Sequence, residues 1–248
     1  VEGVRDRGSC DFVTDIAAML PLKIICDMMG IPESEYRFVF DRTNVILGAT
    51  DPEYVSDLTL AIPMILQAGQ ELAALAEDLA GVREKSPTDD LTSVLVHAEI
   101  DGERLTKSEI GSFFVLLTAA GNETTRNAIS HGMKALADHP DQRRRWMHDF
   151  ENLAPTAVEE IVRWATPVIH FRRTATADTT IGGQPIRAGE KVIMWYASAN
   201  RDEAVFDAPE RFDVGRTPND HVGYGGPGPH FCLGAQLARR EITVMFRE

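Results

Sequence analysis

The chain has 248 residues, 44% of them hydrophobic, enough for one sizeable core and near the limit for a single one. Thirty-eight acidic residues against 25 Lys and Arg leave a net charge of −13, the opposite of the basic footprint that a nucleic-acid binder carries. Cys10, Cys26 and Cys232 stand far apart with no CxxC spacing, which argues against a disulfide framework or a four-ligand zinc site and makes a reducing cytoplasm the expected setting.

Residues 12–29 place Phe12, Ile16, Ala17, Leu20, Leu22, Ile25, Cys26 and Met29 at helical spacing, with a break expected at Pro21 and a stop at Gly30-Ile31-Pro32. A second helix opens over Pro32-Glu33-Ser34-Glu35-Tyr36 and carries Tyr36, Phe38, Phe40 and Ile46. Asp51-Pro52-Glu53 reads as a loop, followed by a helix from about Asp57 to Glu84 with Pro63 early in it. Pro87-Thr88-Asp89-Asp90 caps another helix, carrying Leu91, Val94 and Leu95. The aromatic and Met stripes of these segments read as core, not as a ligand pocket.

Thr106-Lys107-Ser108-Glu109 is a capping box, in which the Thr hydroxyl and the Glu carboxylate satisfy each other's orphan backbone donors. The helix it starts runs to Asp138 and stops at His139-Pro140, a length of about 50 Å at the usual rise per residue. Ile110 to Ala120 is apolar on all sides, which predicts a buried central helix. Its longest apolar run, Phe113 to Gly121, is too short to span a bilayer, and no charged-then-apolar signal segment opens the chain. A soluble protein is expected. Ala120-Gly121-Asn122-Glu123-Thr124-Thr125 then interrupts the helix with a glycine and polar groups. A mid-helix Gly costs about 1 kcal/mol against Ala, Thr hydroxyls bond back to carbonyls one turn earlier, and a buried Glu needs a partner. The string by itself is either a harmless kink or a groove beside a cofactor, in which an acid and an alcohol pass protons.

Residues 155–164 read as a short helix with Pro155 in its first turn. Glu160 and Arg163 lie on one face of it, a spacing that ordinarily gives only a surface ion pair. After Thr166-Pro167 come strands over 168–174, 179–181 and 191–195, with Gly182-Gly183 turning between the last two. Arg173 alone would be an ordinary exposed strand charge.

The densest signal is His221-Val-Gly-Tyr-Gly-Gly-Pro-Gly-Pro-His-Phe-Cys-Leu-Gly234, followed at once by a helical pattern (Ala235, Leu237, Ala238, Ile242, Val244). The glycines allow tight folding and close approach. A helix starting near Cys232 would direct its N–H groups and positive dipole end at the sulfur, favouring thiolate. The alternative is a buried small hydrophobe.

This loop resembles the haem-ligating loop of the cytochrome P450 family, aromatic-Gly-x-Gly-x-His/Arg-x-Cys-x-Gly. Gly226, Gly228, His230, Cys232 and Gly234 fall in register; the aromatic is displaced by one residue, to Tyr224, with Gly225 in its place, as in an actinobacterial branch of the family. The resemblance covers essentially the whole chain and implies a mainly α fold with small β-sheets, a single domain over 1–248, and a thiolate-ligated haem b held by Cys232 as axial ligand. It also implies that Tyr224, Gly226, His230 and Arg173 contact the haem, the last two through its propionates, and that Gly121 leaves room for haem and O2. Glu123 and Thr124 match the acid–alcohol pair that supplies protons during dioxygen activation. Glu160 and Arg163, joined by Arg216, match a buried structural triad; Ala120, Val168 and Ile169 would face the substrate.

The implied activity is insertion of one oxygen atom of O2 into an unactivated C–H bond, with electrons from NAD(P)H through ferredoxin reductase and ferredoxin. The runs 101–105, 121–132 and 153–166 resemble the branch that oxidises terminal carbons of methyl-branched lipids, terpenoids and sterol side chains. Three alternatives stay open: a peroxide-using haem-thiolate enzyme, which would not need Glu123 and Thr124, a haem sensor or binding protein, and a helical interaction module without haem. Val1 is not a start residue and Glu248 sits in a helical pattern with no stop signal, so the chain reads as the central and C-terminal part of such a domain.

Overall fold

A computed structural model of the chain describes residues 2–48, 51 and 57–248. They form two compact units, Val1–Arg126 and Asn127–Glu248, mainly helical with three two-stranded antiparallel sheets, so the expected fold class holds. Residues Pro52 and Glu53 of the expected loop lie outside the described residues.

The first unit opens with one turn, α1 (Glu2–Arg5), and a π-helical turn, Val13–Ala17, that leads into α2 (Met19–Met29). No break occurs at Pro21: it sits buried in the first turn of α2, where a missing N–H costs least. Gly30 ends α2 in the left-handed region (φ 73°), and the Ile31 amide donates back to the Cys26 carbonyl at 2.9 Å, a Schellman closure. The helices α3 (Tyr36–Leu47), α4 (Ala61–Arg83) and α5 (Leu91–His97) follow. Asp90 caps α5 by accepting the Ser93 amide at 2.7 Å, and it also takes Arg83 and Thr88. Leu22, Cys26, Met29, Val39, Leu72, Ala76 and Phe114 make the core of this unit.

A small hairpin, β1 (Glu99–Ile100) with β2 (Glu103–Arg104), precedes α6 (Lys107–Asp138). The capping box forms: the Thr106 amide donates to Glu109 at 2.8 Å and the Glu109 amide to the Thr106 hydroxyl at 3.2 Å. Two expectations for α6 are corrected. The helix is continuous through Gly121, because the missing Cβ admits Ile25 of α2; a Cβ there would lie 2.8 Å from its Cδ1. Nor is the helix buried all round. Ile110, Phe114, Thr118 and Asn122 form a buried stripe, while Ser112, Leu116 (64% exposed) and Ala120 are open.

The second unit takes the last turns of α6, then α7 (Pro140–His148) and α8 (Phe150–Ala165). Helix α8 starts at Phe150, five residues before the expected Pro155, which stands inside it; the missing N–H frees one carbonyl near the helix start. Ala154, Ala157, Val158, Ile161 and Val162 give α8 its buried face. Thr166 ends it at φ 40° and ψ 64°, held by its own hydroxyl donating to the Arg163 carbonyl at 2.7 Å. The strands are β3 (His170–Thr174), β4 (Thr179–Ile181), β5 (Gln184–Ile186) and β6 (Lys191–Trp195). Strand β3 starts two residues later than expected. Gly182-Gly183 joins β4 to β5, which pair with each other, while β3 pairs with β6. Pro185 hid β5 from the sequence, since Pro demotes a strand pattern. After α9 (Tyr196–Ala199), residues 200–234 carry no regular element until α10 (Ala235–Arg247).

Helices α6, α8 and α10 approach closely at Gly132, where a Cβ would lie 2.9 Å from Ile161 Cγ2 and 3.0 Å from Phe246 Cζ. Overpacking of this kind costs about 1–3 kcal/mol, so Gly132→Ala should lower stability despite the better helix former. Gly69, in α4, has nothing within 4 Å of its Cβ position, and Gly69→Ala should raise stability by about 1 kcal/mol. Urea unfolding of the two variants should move the midpoint in opposite directions.

Candidate functional site

The chemistry-bearing residues fall into one group in the first unit and three in the second. In the first, Ser112, Leu116, Ala120 and Thr124 recur every four residues along one stripe of α6. At its start is an open groove of about 390 Å3, lined by Ile46, Ile65, Leu66 and Val115 with Gln70 and Ser112 as the polar members. About 18 Å farther along, at 1.5 Å per residue, the Thr124 hydroxyl donates to the Ala120 carbonyl at 2.7 Å. Its lone pairs therefore stay available to accept. Glu123 is paired with Arg126 at 2.5 Å, and Arg126 also donates to Asn44 at 3.3 Å. The sequence did not mark Arg126. Gly121 points its open side at Ile25, so the space that its missing Cβ leaves is taken by helix packing.

In the second unit the structure brings Glu160, Arg163 and Arg216 together. Arg163 is fully buried and forks onto both Glu160 oxygens at 2.7 and 2.9 Å; Arg216 adds a third bond at 3.0 Å. The Asp213 amide and the Asn219 side chain also donate to Glu160, at 2.9 and 3.3 Å. The two guanidinium groups spend their remaining N–H groups on carbonyls of the irregular segment: Asn200 and Pro209 from Arg163, Asp207 and Ala208 from Arg216, and Arg211 from both. This is no surface ion pair. Removing Glu160 would strand two charges, a loss of about 3–5 kcal/mol. Glu160→Ala should therefore unfold well below the wild-type temperature, as differential scanning calorimetry would record.

The cysteine loop hangs from Tyr224. Its carbonyl accepts the Cys232 amide at 2.9 Å, the Phe231 amide donates to the Gly228 carbonyl at 3.1 Å, and Gly225 and Gly228 take φ values of 87° and 133°, which only glycine adopts freely. Cys232 is exposed, so the buried-hydrophobe alternative fails. Helix α10 starts at Ala235, three residues after Cys232, with Gly234 as its N-cap, later than expected. Phe231 and Leu233 flank the thiol at 47% and 87% exposure. His230 is exposed in the loop and Gly226 has nothing near its Cβ position. Arg173 lies on β3, with a hydrogen bond to the Arg172 carbonyl; among the described residues none joins it to His230. Val168 is half-buried and Ile169 is 56% exposed, both just before β3.

Behind the loop sits a cluster that the sequence did not disclose. Glu159 accepts Arg239 at 2.6 and 3.2 Å and His221 at 2.9 Å. Burial would raise the Glu159 carboxyl, but the hydrogen bonds from His221 and Arg239 outweigh it and hold the pKa at about 2. Burial also raises the Tyr224 phenol. The signal for Glu159 was the doubled acid Glu159-Glu160, read for its second member alone.

Residues 65–248 match the family described as Cytochrome P450. The chain belongs to the cytochrome P450 family. It is 56% identical over 238 residues to a methyl-branched lipid omega-hydroxylase of Mycobacterium tuberculosis, covering 96% of this chain and 55% of that protein. It is 47% identical over 246 residues to a steroid C26-monooxygenase of Rhodococcus jostii, covering 99% of this chain and 50% of that protein. A cytochrome P450 of Mycobacterium marinum solved in complex with pseudoionone superposes with a TM-score of 0.93 at 48% identity, over 99% of this chain and 60% of that one. The chain thus spans about half the length of the curated relatives it matches. The family's cofactor is a haem held by a Cys thiolate. The donor set fits it: one accessible thiol on a glycine-opened loop, flanked by exposed apolar side chains. No helix among the described residues is long and apolar enough to cross a membrane, and none of them groups three metal-ligating side chains.

The Glu159 pKa carries a sign. A carboxyl depressed from about 4.5 to about 2 contributes stability that is present above the unfolded-state value and lost as pH falls through the folded-state one. At about 1.4 kcal/mol per unit that is on the order of 3 kcal/mol. The stability difference between wild type and Glu159→Gln should be constant above pH 5 and shrink steadily between about 4.5 and 2. A difference that persists undiminished at pH 2 would show that the pair does not form.

Proposed function

We propose that this chain is the central and C-terminal part of a haem-thiolate monooxygenase that hydroxylates a terminal carbon of a lipid, terpenoid or sterol-like substrate. The observation that carries the reading is the exposed Cys232 thiol on a loop anchored through Tyr224, in a chain of the cytochrome P450 family. Haem b, bound through Cys232, supplies the activation of O2 toward an unactivated C–H bond. Arg173 and His230 would hold its propionates, and Tyr224 and Gly226 would lie along its face. The substrate class is supported by the apolar stripe of α6 and the groove beside it: burying Leu116, Ile65 and Leu66 against a hydrocarbon removes apolar surface from water. Ala120, Val168 and Ile169 complete the substrate-facing set. The methyl-branched lipid and steroid relatives point the same way.

Thr124 holds a proton-bearing hydroxyl at the end of that stripe, and Glu123 exchanges protons with solvent while Arg126 fixes its carboxylate. Electrons come from NAD(P)H through a ferredoxin reductase and a ferredoxin. The setting is cytoplasmic. A peroxide-using enzyme has no need of the Glu123–Thr124 pair, and a haem sensor or helical module no need of substrate-driven NAD(P)H use.

The test is product formed per NAD(P)H consumed by the haem-loaded, full-length protein. Thr124→Ala should keep consuming NAD(P)H but release much of the reducing power as hydrogen peroxide. Glu123→Gln should slow turnover by 10²-fold or more, as general acid–base groups contribute typically 10²–10⁴-fold. Unchanged coupling in the first and unchanged turnover in the second would leave the pair a structural feature only.

A further inference from the structure

We infer that Glu159 is the positioning residue of the cysteine loop, acting through His221 and Arg239 on the Tyr224 segment from which Cys232 hangs. Helix α8 carries two consecutive carboxylates with different tasks. Glu160 gathers the irregular chain at 200–219; Glu159 points to the strap at 221–225 and to α10.

A set of contacts around Glu159 fixes that strap. The His221 Nδ1 accepts the Gly223 amide at 3.0 Å. This leaves the ring proton on Nε2, which donates to Glu159 at 2.9 Å. The bond therefore selects one tautomer and one ring orientation. The Arg239 fork takes both carboxylate oxygens, and its guanidinium then lies 4.5 Å from the centre of the Tyr224 ring. The His221 ring meets the same phenol at 5.7 Å. Tyr224 is thus held between two groups that share one carboxylate. Gly223 has no freedom to shift inward, since a Cβ there would lie 2.6 Å from Val162 of α8. The Val222 amide donates to the buried Asn200 at 2.8 Å, and the Gly225 amide to the Val222 carbonyl at 2.8 Å.

Beyond Gly225 the cover ends. Residues 226–234 are all exposed, and the Cys232 amide is tied back to the Tyr224 carbonyl. Cys232 is thus tied on one side to the Tyr224 backbone, which Glu159 sets from behind, and on the other to the Ala235 amide at the start of α10, which donates to its carbonyl at 3.3 Å. The consequence for ligation rests on reading Cys232 as the iron ligand; the positioning itself does not.

The test compares peptide-resolved hydrogen exchange of the haem-loaded, full-length wild type with Glu159→Gln and Glu159→Asp. In Glu159→Gln the amides of 222–234 should exchange at least tenfold faster, while those of 207–216, held by Glu160 and Arg216, keep the wild-type rate. Glu159→Asp, which retains the charge, should recover part of the protection. The reduced, CO-bound Gln variant should also lose its thiolate-type Soret band faster than wild type. If Glu159→Gln cannot be purified, His221→Gln, which cuts the link to the strap and leaves the Glu159–Arg239 pair, is read in the same two windows. Wild-type exchange in 222–234, or an equal rise in both windows, would overturn the inference. A wild type lacking the thiolate band but showing the expected exchange pattern would overturn the ligand assignment and support the positioning role.

Discussion

One buried carboxylate holds the second unit together. Residues 200–234 have no regular structure, so their backbone carbonyls need partners from elsewhere. Arg163 and Arg216 supply them, donating to five carbonyls, and Glu160 makes it tolerable to bury those arginines. A buried ion pair contributes little net stability by comparison with apolar packing, but losing one partner is costly. Here the gain is a defined path for irregular chain, and that path ends in the cysteine loop. The guanidinium fork suits the task because it satisfies a carboxylate bidentately and still has N–H groups to spend.

The loop and the α6 stripe share a feature that a self-sufficient core would not have: apolar side chains left open. Phe231, Leu233 and Leu116 all face outward, within structures whose buried faces are otherwise well packed. Leaving such surface bare is unfavourable in water. Thr124 and Glu123 belong to the same economy of placement. Both are polar, both sit at the end of an apolar stripe, and both are held by bonds to their own helix.

Much of this was legible in the residues. The capping box at Thr106 and Glu109, the cap at Asp90 and the stop at Gly30 are local devices, and local devices can be read from local sequence. The family motifs point to Glu160, Arg163 and Arg216, which the structure brings together. Pro21 and Pro155 have the pattern of boundaries, yet one lies in a first turn and the other inside a helix that tertiary packing sustains. The Pro185 strand was missed because its pairing with β4 depends on a partner, not on its own propensity. Helix α6 reads as buried all round because composition cannot tell a packed face from an open one. Glu159, His221 and Arg239 do not show as a set in the sequence, since Glu159 lies 62 residues from His221 and 80 from Arg239 and each looks ordinary alone.

The account turns on Cys232 as the ligand that this scaffold presents. The most direct measurement is the absorption spectrum of the reduced, CO-bound, haem-loaded full-length protein beside that of Cys232→Ser. The account predicts the strongly red-shifted Soret band of thiolate ligation in the wild type and its absence in the variant. A thiolate-type band that persists in Cys232→Ser would contradict it.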